Sequence, residues 1–126
     1  MLKKAAELTD QLFRQLINSW HGFKTEAQAA QFLLIEMAKR GTEPSFPPII
    51  ASGAHAALPH SEPHNKKIQK GFCVIDMGVR YGGYCSDMTR TIYIGTPSEK
   101  EKQLYELVRR AQEDTVKRVK ASVSTK

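Results

Sequence analysis

Long apolar runs are missing from this 126-residue chain. The stretch from Phe32 to Ile35 is stopped at once by Glu36, whereas a membrane-crossing helix needs roughly 20 predominantly apolar residues. The N-terminus turns charged at Lys3, Lys4 and Glu7 and lacks the apolar segment of a secretion signal. Cysteine is scarce as well: Cys73 and Cys85 are too few for a disulfide scaffold or a thiolate zinc site. Internal repeats, low-complexity tracts and obvious linkers are absent. These absences lead us to expect one domain over residues 1–126, cytoplasmic, with no membrane partner and reduced thiols.

A concentration of one charge is also lacking. Nineteen Lys and Arg against thirteen Asp and Glu give a net charge of +6, but the excess gathers only at Lys66, Lys67 and Lys70 and at Lys117, Arg118 and Lys120. No aromatic residues interleave with these groups to stack bases, so they read as solvated surface and no nucleic-acid partner is expected. What is present is a globular composition, 40% apolar and 25% charged, sufficient for a packed core.

Apolar residues at Ala5, Leu8, Leu12, Leu16 and Ile17 recur at three and four, predicting a helix from Leu2 to about Asn18 that ends at Trp20-His21-Gly22. Thr25 and Gln28 form a capping-box pattern for a second helix running to Lys39-Arg40, with Gly41 free to take the left-handed position beyond it. Pro44, Pro47 and Pro48 exclude helix, and Ile49-Ile50-Ala51 is a short strand. A polar loop spans Ser52 to Gly71. Two β-rich runs, Phe72 to Val79 and Tyr84 to Ile94, then form a hairpin through Arg80-Tyr81-Gly82-Gly83. Ser98 and Glu101 supply a second capping box, and Leu104, Leu107, Val108, Ala111, Thr115 and Val119 are expected to be the buried stripe of a last helix.

The hairpin carries the chemistry. With its tightest point at Tyr81-Gly82, Arg80 faces Gly83 and Asp76 faces Asp87 directly, with Cβ atoms about 4.5–5.5 Å apart. Like charges that close need a cation or a proton between them, and two carboxylates suit one hard cation or a metal pair. Spacing alone also admits two Asp that merely flank turns. In the same register Cys73 faces Arg90 and Cys85 faces Gly78, which argues against a disulfide.

Phe46-Pro47-Pro48-Ile49-Ile50-Ala51-Ser52-Gly53, Leu58-Pro59-His60, Asp76-Met77-Gly78 and Gly83-Tyr84-Cys85-Ser86-Asp87-Met88-Thr89-Arg90-Thr91 appear in this order. Together they resemble the pita-bread metallopeptidases, the family of methionine aminopeptidase, aminopeptidase P and prolidase. The Gly-Tyr-x-Ser-Asp-x-Thr-Arg-Thr wording is most similar to the Xaa-Pro branch, and the resemblance runs from the first helix to the last. It implies an α/β (α+β) fold, half of a pita-bread domain with an antiparallel-rich sheet backed by helices. It further implies Asp76 as ligand to one metal, Asp87 as bridge to both, and His60 as an active-site residue near the substrate. The implied cofactor is a pair of divalent metals, Mn or Co with Zn also possible, supplying an activated water for attack on a scissile carbonyl.

The same resemblance exposes departures. The family's further ligands, a His and two Glu, come from a second half that residues 1–126 do not contain. His55 stands where relatives commonly carry Asn, and His64 matches no family role. His21 and Glu62 read as structural and exposed residues. The implied activity is metal-dependent removal of the residue preceding proline from a peptide substrate, incomplete in the lone chain. Two Asp alone would hold metal weakly, so a complementary C-terminal half or a homodimer is the expected partner. A noncatalytic peptide-binding or interaction module is the alternative.

Overall fold

A computed structural model describes residues 1–124 of the chain. They form two compact units, Met1–Gly95 and a second beginning at Thr96. The first unit opens with helix α1 (Leu2–Asn18) and a single 3-10 turn at Trp20–Gly22, followed by helix α2 (Glu26–Lys39). Thr25 accepts from the Gln28 N–H and the Gln28 side chain reaches back to the Thr25 N–H, so the expected capping box is formed. Gly41 adopts φ +63 past the C-terminus, as the sequence pattern requires.

Six strands follow. A short sheet contains β1 (Glu43–Pro44), β4 (Val79–Tyr81) and β5 (Tyr84–Cys85), in the order β1-β4-β5. A longer sheet contains β2 (Ile49–Ser52), β3 (Gly71–Met77) and β6 (Met88–Ile94), in the order β2-β3-β6. All pairings are antiparallel. Alternation along β3 sets the two faces of the longer sheet. Cys73, Ile75 and Met77 are buried, and with Ile50 and Val79 they join a core cluster with Ala5, Leu8, Leu12 and Leu16 of α1 and Ala29, Ala30, Leu33 and Met37 of α2. Phe72, Val74 and Asp76 alternate with them, on the opposite face.

The hairpin register differs from the one expected. Tyr81 pairs with Tyr84 and Arg80 with Cys85, so the turn is Gly82-Gly83 rather than Tyr81-Gly82. The cause lies in backbone angles. Gly82 and Gly83 have φ +58 and +81, and a two-residue hairpin turn with both central residues at positive φ is one that Gly-Gly closes and a tyrosine resists. The shift keeps the faces but changes the partners: Asp76 faces Thr89, not Asp87, and Cys73 faces Ile92. Both cysteines are free, Cys73 buried and Cys85 exposed.

The hairpin is also broken into two parts, one in each sheet. Buried Ser86 lies between β5 and β6, where its N–H donates to the Val79 carbonyl (3.0 Å) and its Oγ accepts from the Val79 N–H (3.0 Å). Its hydroxyl meets that of Thr9 on α1 at 2.6 Å, and its carbonyl accepts from Ser45 Oγ at 2.8 Å. The Ser86 hydroxyl thus takes the Val79 N–H that a backbone carbonyl would take in a regular ladder, and the pairing is interrupted here.

The second unit holds helix α3 (Glu99–Arg118), started by the expected Ser98–Glu101 capping box. Its apolar stripe is not buried: Leu104, Leu107 and Val108 are 52%, 67% and 61% exposed. It is the only helix of its unit among the described residues, and one helix cannot bury its own stripe. Ion pairs of Arg109 with Glu106 and Glu113, and of Arg110 with Glu106, line its surface and support it modestly. Among the described residues no helix is long and apolar enough to cross a membrane.

Candidate metal and peptide site

Asp76 sits in the last turn of the β3 pleat, half-buried, between Ile49 of β2 and Thr89 of β6. The Thr89 hydroxyl donates to Asp76 Oδ1 at 2.9 Å. That bond occupies one oxygen and orients the carboxylate, leaving Oδ2 as the free donor for a cation. Asp87 lies in the two-residue break between β5 and β6 and is exposed. It is therefore a diagonal step from Asp76 rather than opposite it, a separation of about 7–8 Å in a regular ladder. Buried Ser86, with its bonds to Val79, Ser45 and Thr9, fixes the backbone immediately before Asp87.

His60 reaches the same region from a different element. After β2 the chain makes a 3-10 turn (Gly53–Ala57) and then the polar segment that carries Leu58-Pro59-His60. The structure brings His60 and Asp76 to one cleft of about 350 Å³, whose walls include Ile49, Ala51, Leu58, Pro59 and Val74. Its other walls are apolar side chains, so His60 and Asp76 supply its polar side-chain groups. Asp87 does not line this cleft. A larger groove of about 940 Å³, with Ile17, Trp20, Phe23, Ile92 and Ile94 among its walls, contains none of the three candidate residues.

The donor chemistry suits a divalent metal in kind, since carboxylate oxygens are hard ligands. In number it is short. Among the described residues no group of three or more His, Cys, Asp or Glu is placed to hold an ion, so Asp76 and Asp87 offer two side-chain donors and no third. Glu62 is exposed, and His55 and His64 belong to a separate cluster around Glu26.

Three residues take a part in this geometry that the sequence reading does not assign. Ser86 and Thr89 are small polar residues of the Asp-containing motif whose bonds form only when the register is set. Glu26, 3% exposed, follows the Thr25 cap and reads in sequence as an ordinary acidic residue of a first helical turn. Burial would raise its pKa, but hydrogen bonds from the His64 N–H, from Ser52 and from His55 outweigh burial and hold it below the usual carboxylate value.

Comparison with known proteins agrees with this architecture. A family model, Metallopeptidase family M24, matches residues 1–126. The Xaa-Pro dipeptidase of Pyrococcus horikoshii is 39% identical over 128 residues, covering 100% of this chain and 36% of that protein. Among solved structures, the Xaa-Pro dipeptidase from Bacillus anthracis superposes with a TM-score of 0.87 at 38% identity, covering 97% of this chain and 35% of the other. The X-Pro aminopeptidase from Thermotoga maritima superposes with a TM-score of 0.89 at 36% identity, again covering 97% and 35%. The chain thus spans about a third of the length of the relatives it matches.

Proposed function

This chain belongs to metallopeptidase family M24, and from that premise we propose that it contributes Asp76, Asp87 and His60 to a site that cleaves the bond between an N-terminal residue and a following proline. The observation that carries the reading is the meeting of His60 and Asp76 at one apolar-walled cleft. The names of the relatives, dipeptidase and aminopeptidase acting on Xaa-Pro, supply the substrate class.

Asp76, through its free Oδ2, and Asp87 would hold divalent metal, with Mn, Co or Zn as candidates. When bound, the metal supplies Lewis acidity and an activated water. The chain's own residues do the rest. Thr89 holds the Asp76 carboxylate in one orientation. Ile49, Leu58, Pro59 and Val74 offer apolar surface against which the substrate packs. The exposed His60 imidazole donates a hydrogen bond to the scissile carbonyl oxygen as negative charge develops there. Two carboxylates hold metal weakly, so the remaining ligands come from a complementary C-terminal segment or from a second copy.

Mn²⁺ or Co²⁺ titration tests the first half of this reading. Metal bound to the folded state alone raises the melting temperature with its concentration, and Asp87→Asn abolishes the rise. Hydrolysis of a Leu-Pro peptide, followed with and without a C-terminal segment from a relative, tests the second half. Turnover that appears only with the added segment and disappears in His60→Ala supports the proposal. A metal response without cleavage under either condition favours the noncatalytic peptide-binding alternative.

A further inference from the structure

The hydrogen bonds of Glu26 converge on the segment that carries His60. Its Oε1 accepts from the N–H and the Oγ of Ser52, at 2.7 and 2.8 Å. Its Oε2 accepts from Nδ1 of His55 at 2.9 Å and from the N–H of His64 at 3.1 Å. Ser52 and His55 precede His60 and His64 follows it, so a single carboxylate grips both sides of the segment. The rings of His55 and His64 stack, with centroids 4.0 Å apart and planes within 11°. Further bonds tie the return path to the start of α2. The Ala27 N–H donates to the His64 carbonyl (3.1 Å), and the Ile68 N–H donates to the Lys24 carbonyl (2.9 Å).

His60 needs such support. Its φ is +54, in the left-handed region that a residue bearing a Cβ enters at a cost and keeps only where its surroundings over-determine it. Local help comes from Ser61, whose Oγ bonds the carbonyls of Leu58 (2.8 Å) and His55 (3.2 Å). The same His55 is thereby tied to Glu26 by its ring and to Ser61 by its backbone.

We propose that Glu26 is a positioning residue for His60: its buried carboxylate clamps Ser52, His55 and His64 and so holds the strained His60 backbone against the cleft. The role assigned to His60 rests on the function proposed above, but the clamp itself is tested without metal or peptide. Glutamine at position 26 keeps one acceptor oxygen and turns an NH₂ toward the other pair of donors, so Glu26→Gln breaks one side of the clamp at nearly constant volume.

Backbone hydrogen exchange and the His60 Cε1–H resonance, recorded on the whole chain, decide the matter. Glu26→Gln is expected to speed exchange of amides in residues 53–64 by about tenfold, the effect of losing one buried charge-assisted bond. The His60 resonance shifts and broadens, while amides of β3 and β6 keep their protection. His55→Ala removes one of the bonds without touching α2 and gives a smaller change of the same kind; should Glu26→Gln fail to fold, His55→Ala alone decides. An unmoved His60 resonance, or loosening spread equally over β3 and β6, overturns the proposal. Absence of Xaa-Pro cleavage with a complementary C-terminal segment and Mn²⁺ present would instead refute the site reading and leave the clamp result standing.

Discussion

The carbonyl oxygen of Ser86 lies 1.9 Å from the point where a Cβ on residue 78 would stand. Only glycine allows the two strands to pass at this distance, and the passage is where Asp87 leaves the ladder. Gly78→Ala is therefore expected to push the Ser86 segment away, with a loss of about 1–3 kcal/mol from overpacking. Thermal melting measures the loss. Because Asp87 is the next residue, the rise in melting temperature produced by Mn²⁺ should fall with it.

Thr89 offers a cleaner separation of stability from metal affinity. It is exposed, so Thr89→Val costs little in folding, yet it removes the bond that orients Asp76. Loss of such an outer partner weakens metal binding by roughly 10–100-fold. Isothermal titration with Mn²⁺ checks the value, and Thr89→Ser, which keeps the hydroxyl, should restore most of the affinity.

Glu26 predicts a pH dependence of definite sign. Its pKa in the folded chain lies below the ordinary value of 4.5, so the unfolded chain takes up its proton first as pH falls. The stabilisation is complete above about 4.5 and is lost as pH falls through the lower folded value. Melting curves between about pH 7 and pH 3 should show a steeper decline for the wild type than for Glu26→Gln. Equal slopes would mean that the carboxylate gains nothing from its four donors.

The two thiols should differ in reactivity. Burial, with a smaller contribution from the charge of Glu26, pushes the Cys73 thiol up to about 12, and a thiol that is neither ionised nor accessible does not alkylate. Iodoacetamide at pH 8 is expected to modify Cys85 alone in the native chain, and Cys73 only after unfolding. Peptide mass mapping reads this directly; native labelling of Cys73 would show that the core opens at β3.

Local features of the fold were legible in the sequence where the physics is local. The Thr25–Gln28 and Ser98–Glu101 boxes, the α1 stripe and Gly41 each depend on residues within one or two helical turns. The hairpin was legible as a hairpin, but its register was not, because apolar alternation cannot tell a turn at Tyr81-Gly82 from one at Gly82-Gly83; positive φ at both central residues decides it. The two-residue difference in register sets Asp76 opposite Thr89 rather than opposite Asp87. The exposed stripe of α3 looked like a core face because periodicity reports a stripe, not what covers it. Glu26 was the least visible, since its partners Ser52, His55 and His64 are 26, 29 and 38 residues away and its side chain gives no pattern of its own. That His60 and Asp76 share a cleft followed from no spacing; it depends on how the segment after β2 folds back over the sheet.

The Gly82-Gly83 turn also bears on the order in which the molecule is made. From it the chain can zip outward, Tyr81 onto Tyr84 and eventually Gly71 onto Ile94, each pairing closing only a slightly longer loop than the last. Hairpins form in about 1–10 μs, and such low contact order favours early assembly over the distant docking of β2 or of Glu26. Asp76 and Asp87 are thus drawn alongside each other by the most rapid closure in the sheet, while His60 must wait for the slower arrival of α2.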